Sequence, residues 1–419
     1  MTVQEQAAAG IEVAAVRRQF PGLARTMADG RPVVFFDGPG GSQPHASVVA
    51  AVARHLESSM ANLDGAFATA RETTALVEQA RVAAADLLGA TPEEIAFGPN
   101  MTTLNFLLAH ALARTLAAGD EIVVTALDHD ANVAPWLLVA RDHGLVVRTA
   151  PLRVEDGTLD TAALEALLGP RTRVVAFPLA SNALGTIPEI RRVAAAAHRV
   201  GALAWCDAVH FAPHRRIDVA ALGIDVVLCS AYKFFGPHVG VAAIRRDLAE
   251  TLPADQVRPA APTPPGHRFE TGTQSHEGLA GLVAAVDYLA SLGAGAGRRA
   301  RLDDAFARVQ RHEAALTLRF LDGVRDLPRL RLYGIADPAR VAERTPTMCF
   351  TIEGQPPRAV TETLGEQGIF TWHGNYYARN VMESLGLEGR GGAVRAGFLH
   401  YNTAAEVDRL LEALHRLAA

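Results

Sequence analysis

Short β-rich runs separated by helical patterns fix the architecture open to this chain. The runs lie at 121–125, 145–150, 172–177, 202–206, 225–229 and 239–244, with helical patterns such as Thr102 to Ala117 and Pro188 to Val200 between several of them. Pro188 stands near the first turn of the second pattern and Gly201 just past its end, which is the punctuation of a helix. Such alternation predicts a mostly parallel sheet with helices on both faces. A Pro-rich stretch, Arg258 to Pro265, interrupts it. A long helix-like region over about 278–325 follows, then strands near 330–333 and 347–352 and helices ending at Leu417. The expected organisation is a large α/β domain over 31–285 and a smaller α+β domain formed by 1–30 and 286–419. At 419 residues, 49% hydrophobic and 20% charged, the chain can bury the cores that such a pair needs.

Open parallel sheets bind ligands outside the carboxyl ends of their strands. After 121–125 come Asp128, His129 and Asp130; after 172–177, Ser181 and Asn182. Asp207 and His210 follow 202–206, and Ser230, Tyr232 and Lys233 follow 225–229. Any one polar loop means little, but four strand ends on one rim mean more. Lys233 carries the most weight. Of 40 Lys and Arg residues it is the single lysine. Arginine replaces lysine at most solvated positions, but a guanidinium does not deprotonate in proteins. Chance survival in an Arg-biased chain is one reading; the other is an amine nucleophile, which points to Schiff-base chemistry.

An anion site is legible as well. Gly98-Pro99-Asn100-Met101-Thr102-Thr103 follows a short strand, Ile95 to Phe97, and opens a helix. Free backbone N–H groups at a helix N-terminus hold a phosphate, although an ordinary Asn N-cap reads the same way. Pyridoxal phosphate requires an amine, an acid for its ring nitrogen, a partner for its phenolate oxygen, a flat group on the ring and a phosphate site. Lys233, Asp207, Asn182, His129 and the 100–103 turn with Ser230 and His210 supply them in that order. The set is specific only as a set.

Other classes fit less well. A net charge of −5 with no basic patch argues against a nucleic-acid partner. No apolar run reaches the roughly 18 residues that cross a bilayer, and Met1 to Gln6 does not read as a secretory signal. Cys206, Cys229 and Cys349 match neither a disulfide framework nor a zinc pattern, which suits a reducing cytoplasm. Asp207, His210 and His214 have helical spacing for a metal, but Asp207 has a better use. Gly38 to Gly41 lacks the G-x-G-x-x-G spacing of a dinucleotide loop.

Several motifs carry a family resemblance. Trp205-Cys206-Asp207-Ala208-Val209-His210 and Ser230-Ala231-Tyr232-Lys233-Phe234-Phe235-Gly236-Pro237 resemble the class V aminotransferase superfamily, fold type I of the pyridoxal-phosphate enzymes, and within it the cysteine desulfurase-like group. Asp128 to Asn132, Ser181 to Thr186, Arg268 to Thr273, and Arg395 with Tyr401-Asn402-Thr403 extend the match over about 31–419. The resemblance implies a large domain with a mostly parallel seven-stranded sheet plus a smaller α+β C-terminal domain. It implies that Lys233 carries pyridoxal 5'-phosphate, Asp207 pairs with the pyridinium, His129 stacks and Asn182 donates to the phenolate. His210, where cysteine desulfurases usually have Gln, falls near the phenolate or the phosphate network. Ser230, Tyr232 (usually His), Asn100, Met101 and Thr102 fall at the phosphate. Thr273 reaches the phosphate of a neighbouring subunit, so a homodimer with shared active sites is implied. Arg395 grips the α-carboxylate of a small amino-acid substrate, and the Asp37–Gly41 turn, with Gly40, looks like the family's substrate loop.

One departure bears on function. Cysteine desulfurases carry a mobile catalytic Cys shortly before the carboxylate-binding Arg. Here residues 368–378 contain none, and Asn375, Tyr376 and Tyr377 stand there as candidate substrate-pocket residues. The expectation is a C–S lyase that β-eliminates from cysteine or a cysteine S-conjugate without a persulfide. The alternatives are an aminotransferase or epimerase, or oxidative decarboxylation–deamination of an S-linked cysteine as in lincosamide-type biosynthesis.

Overall fold

The computed structural model describes residues 10–58 and 60–418, so the expectation for Met1 to Gln6 lies outside the described residues. Strand β1 (Val34–Phe35) precedes the large sheet. That sheet comprises β2 (Ile95–Gly98), β3 (Glu121–Thr125), β4 (Val146–Ala150), β5 (Thr172–Pro178), β6 (Leu203–Asp207), β7 (Val226–Ser230) and β8 (Gly240–Ile244). Its order is β2-β8-β7-β6-β5-β3-β4. The run from β4 to β7 is parallel, whereas β8 is antiparallel to both its neighbours.

Both faces of this sheet are buried, which is why its strands read as nearly continuous apolar runs. Ile122, Val124, Val174, Ala176, Trp205, Val226 and Leu228 pack on one side. Val123, Val175, Phe177, Ala204, Cys206, Val227 and Cys229 pack on the other. The chain adds β4 outside β3 and then returns to lay β5 on β3's other edge. This reversal opens a crevice at the carboxyl ends, the usual ligand site of such sheets.

The second sheet has the order β12-β13-β10-β9, formed by β9 (Leu330–Tyr333), β10 (Thr347–Ile352), β12 (Trp372–Gly374) and β13 (Ala393–Gly397). It buries its own core, including Met348, Phe350, Val394 and Phe398. Between β10 and β12, β11 (Ile369–Phe370) pairs in parallel with β1, and Asp37 bridges to Gly397. These contacts bring the 37–41 turn beside the segment 371–378. The helix-like region over about 278–325 resolves into two helices, His276–Ser291 and Gly297–Val324. The break falls at Gly293 and Gly295, where φ of Gly295 is +146° and a Cβ on Gly293 would lie 2.1 Å from the Arg301 carbonyl oxygen.

Candidate active site

A cavity of about 1210 Å³ opens between the two sheets. Its floor is the carboxyl rim of the large sheet, with His129 after β3, Asn182 after β5, Asp207 ending β6, and Ser230, Tyr232 and Lys233 at and after β7. The residues given cofactor or substrate roles from the sequence line this cavity, except Thr273; of the strand-end residues, Asp128 and Ser181 do not reach it. Thr273 lies in an adjoining hollow with Gly272, Pro99 and His238.

Lys233 Nζ donates to the carbonyl oxygens of Pro39 (2.5 Å) and Gly40 (3.1 Å). Burial, aided by the Arg395 charge, lowers its pKa to about 7 against the opposing pull of Asp207 and Asp37. A large share of the amine is therefore neutral near pH 7. Asp207 accepts from the Val209 N–H at 2.7 Å, and burial raises its pKa to about 6. Asp37, also raised to about 6 by burial, leaves Oδ1 without a partner. His129 Nδ1 accepts from the Ala131 N–H at 2.9 Å, and burial lowers its pKa to about 4, so the ring is neutral.

Asn100 caps the helix Met101–Ala113 by accepting from Thr103 N. Ser230 Oγ accepts from Met101 N at 2.9 Å, joining β7 to this helix start. His210 reaches the Thr347 and Thr345 hydroxyls through Nε2 (2.8 and 3.1 Å), and burial pushes its pKa well down. Residues 208–214 form turns rather than a helix, and His214 Nδ1 meets Glu313 at 3.0 Å. The metal alternative therefore loses its geometry; among the described residues no cluster could hold a metal ion.

The wall opposite comes from the small sheet. Arg395 on β13 is buried, donates through Nη1 to the Asn182 carbonyl oxygen (2.9 Å), and leaves Nε without a partner. Its guanidinium lies 4.4 Å from the centre of the Tyr376 ring. Asn182 Nδ2 donates to the Tyr376 carbonyl oxygen (2.8 Å), while its buried Oδ1 has no partner. His129 stacks on Tyr377 at 5.6 Å. Asn375 Nδ2 donates to Glu388 at 2.9 Å.

The donor set suits pyridoxal phosphate. An amine of lowered pKa, a buried carboxyl, a neutral imidazole and a helix start with hydroxyls share one cavity, and the unpartnered atoms of Asn182 and Arg395 are groups that a polar ligand would satisfy. Sequence reasoning assigned no role to Trp372 or to His238, which stacks on Tyr232 at 4.7 Å. His238 was within reach of the strand-end argument, five residues past Lys233. Trp372 gave one signal, an aromatic in the stretch that lacks Cys; its contact with Gly40 gave none.

The aminotransferase class-V family model matches residues 34–410. A probable cysteine desulfurase of Streptomyces coelicolor is 32% identical over 425 residues, spanning 97% of this chain and 97% of that protein. The apo cysteine desulfurase of Thermococcus onnurineus has a similar structure, with a TM-score of 0.83, 26% identity, and coverage of 100% of this chain and 98% of that one. A C-DES mutant with glycine covalently linked to its PLP cofactor shares the fold at 22% identity, with a TM-score of 0.79 over 96% of this chain and 98% of that one.

Proposed function

The chain belongs to the aminotransferase class-V family and is a pyridoxal-phosphate-dependent enzyme; from that premise we propose that it is a C–S lyase acting on cysteine or a cysteine S-conjugate without a persulfide-forming cysteine. The observation that carries this reading is the state of the thiols. Cys206, Cys229 and Cys349 are all buried, and burial raises each thiol pKa, that of Cys349 to about 12. Buried protonated thiols neither attack sulfur nor travel to an acceptor. No Cys occupies 368–378.

When bound, pyridoxal phosphate supplies the electron sink for charge left at Cα. Lys233 would hold it, Asp207 would keep the proton on its ring nitrogen, and His129 would cover its face. Asn182 and His210 would meet its phenolate side, and Asn100, Met101, Thr102, Ser230 and Tyr232 its phosphate. Arg395 takes the substrate carboxylate, for which a guanidinium fork is the matching geometry. Burial lowers the Lys233 amine toward neutrality, and once released from the cofactor Lys233 Nζ would remove the Cα proton as general base. The Cβ–S bond breaks with its electron pair on sulfur, and water completes the reaction, so that one S-conjugate yields one thiol, one pyruvate and one ammonium.

Thr273 lines a hollow beside the cavity rather than the cavity itself, which supports a homodimer in which it serves the neighbouring subunit's phosphate site. No helix among the described residues is long and apolar enough to cross a membrane. Three free cysteines support a reducing cytoplasm.

The test is product analysis. Holoenzyme is expected to release pyruvate and ammonium in equal amounts, together with one sulfide from L-cysteine or one thiol from an S-alkyl cysteine. Absence of pyruvate and thiol sinks the lyase. A keto acid that keeps its sulfur, with stoichiometric pyridoxamine phosphate, establishes the aminotransferase instead.

A further inference from the structure

Residues 375–378 form a strap between the two halves of the molecule. On the large-sheet side, Asn182 Nδ2 donates to the Tyr376 carbonyl oxygen (2.8 Å) and Asp130 N donates to that of Tyr377 (2.6 Å). On the small-sheet side, the Tyr376 hydroxyl donates to the Ala393 carbonyl oxygen, two residues before Arg395, and Asn375 is held by Glu388. The strap is also bent against preference. Tyr376 and Tyr377 have φ of +56° and +57°, the left-handed region that bulky residues rarely adopt. Two successive aromatics there persist only because the surroundings hold them. The product of that strain is specific: it sets the Tyr376 ring face 4.4 Å from the Arg395 guanidinium. Buried cations are attracted to a ring face, and Arg395 has few other ties. Its Nη1 reaches the Asn182 carbonyl oxygen and its Nε has no partner.

We propose that Tyr376 is a positioning residue, whose ring, locked by the strap, fixes the plane of Arg395 so that the guanidinium presents its free edge to the substrate's α-carboxylate. The proposal rests on the carboxylate role given to Arg395 above. Tyr376 touches Arg395 rather than the reacting atoms, so its loss weakens recognition of the carboxylate while the amine and the cofactor remain competent.

The experiment titrates holoenzyme with L-alanine, which has no leaving group at Cβ, and with ethylamine, the matching amine that lacks the carboxylate, following the cofactor's absorbance. For wild type, Arg395→Ala, Tyr376→Phe, Tyr376→Leu and Tyr376→Met, the readout is the ratio of the two apparent Kd values. Tyr376→Leu and Tyr376→Met are expected to raise Kd for the amino acid by roughly three- to thirtyfold and to leave the amine within twofold. Tyr376→Phe, which keeps the ring, restores most of the discrimination. Having two non-aromatic variants keeps the test standing if one fails to fold. Equal weakening of both ligands, or no weakening in either variant, overturns the positioning role while the Arg395→Ala result still upholds the carboxylate site. An Arg395→Ala ratio equal to wild type overturns the carboxylate role itself, and the Tyr376 role with it.

Discussion

Lys233, Asp207 and Asn182 stand at or just past the ends of parallel strands, whereas Tyr376 and Tyr377 stand in a strap of four residues. The first group inherits its geometry from a sheet buried on both faces. The strap has no such ladder and is held by individual hydrogen bonds from Asn182, Asp130 and Tyr376 itself. The difference divides the work. A rigid rim suits chemistry common to a whole family, and a loop tied by a few contacts suits the choice of substrate. Changes at the rim should therefore abolish reaction, and changes at the strap or its neighbours should alter selectivity.

The largest effect is expected at Lys233. Lys233→Arg should lower turnover by roughly a thousandfold or more, because arginine cannot supply a neutral amine; near-normal turnover would remove the rim from the chemistry. Asp207→Asn should cost on the order of a hundredfold in kcat by removing a preorganised charge, measured in steady state with cofactor saturating.

The pH dependence has a worked sign. A lysine lowered to about 7 loses its proton near neutrality rather than near 10. Capture of cofactor by the apoprotein should therefore rise through pH 7 and then level off. Asp207, raised to about 6 by burial, becomes neutral below that value and ceases to favour the pyridinium, so uptake should weaken as pH falls through 6. Stopped-flow absorbance across pH 5–9 checks both limbs (the range is roughly two units about the Lys233 value). A rise only above pH 9 contradicts the burial of the amine.

Gly40 joins the two regions. Its carbonyl oxygen holds Lys233 Nζ, and a Cβ added to it would lie 2.4 Å from Trp372 Nε1. Gly40→Ala should displace the indole and raise KM several-fold with a smaller change in kcat, a split visible in steady-state kinetics. The smallest effect is expected from the cysteines. Replacing Cys206, Cys229 and Cys349 singly by Ala should leave kcat within about twofold; loss of turnover in any one would revive a sulfur relay.

The rim was legible in the sequence because parallel strands announce themselves as short apolar runs. The runs 121–125 and 172–177 coincide with Glu121–Thr125 and Thr172–Pro178 to within a residue, and of the polar residues after them His129, Asp130 and Asn182 line the cavity. The strap was legible as a stretch without Cys that offers candidate pocket residues, which do line the cavity, but its geometry was not. Nothing about Asn375-Tyr376-Tyr377 announces left-handed backbone, since that conformation is signalled by Gly or Asn and here is imposed by partners far away in sequence. The helix break at Gly293–Gly295 is a different case. Its glycines were in plain view, but the surrounding Ala and Arg pattern read through them.

The most direct measurement fixes the cofactor to whatever amine holds it. Holoenzyme is reduced with borohydride, digested, and the cofactor-bearing peptide is mapped by mass spectrometry. The account predicts one label per chain, on the peptide containing Lys233. A label elsewhere, or a reduced protein that releases its cofactor unmodified, contradicts it.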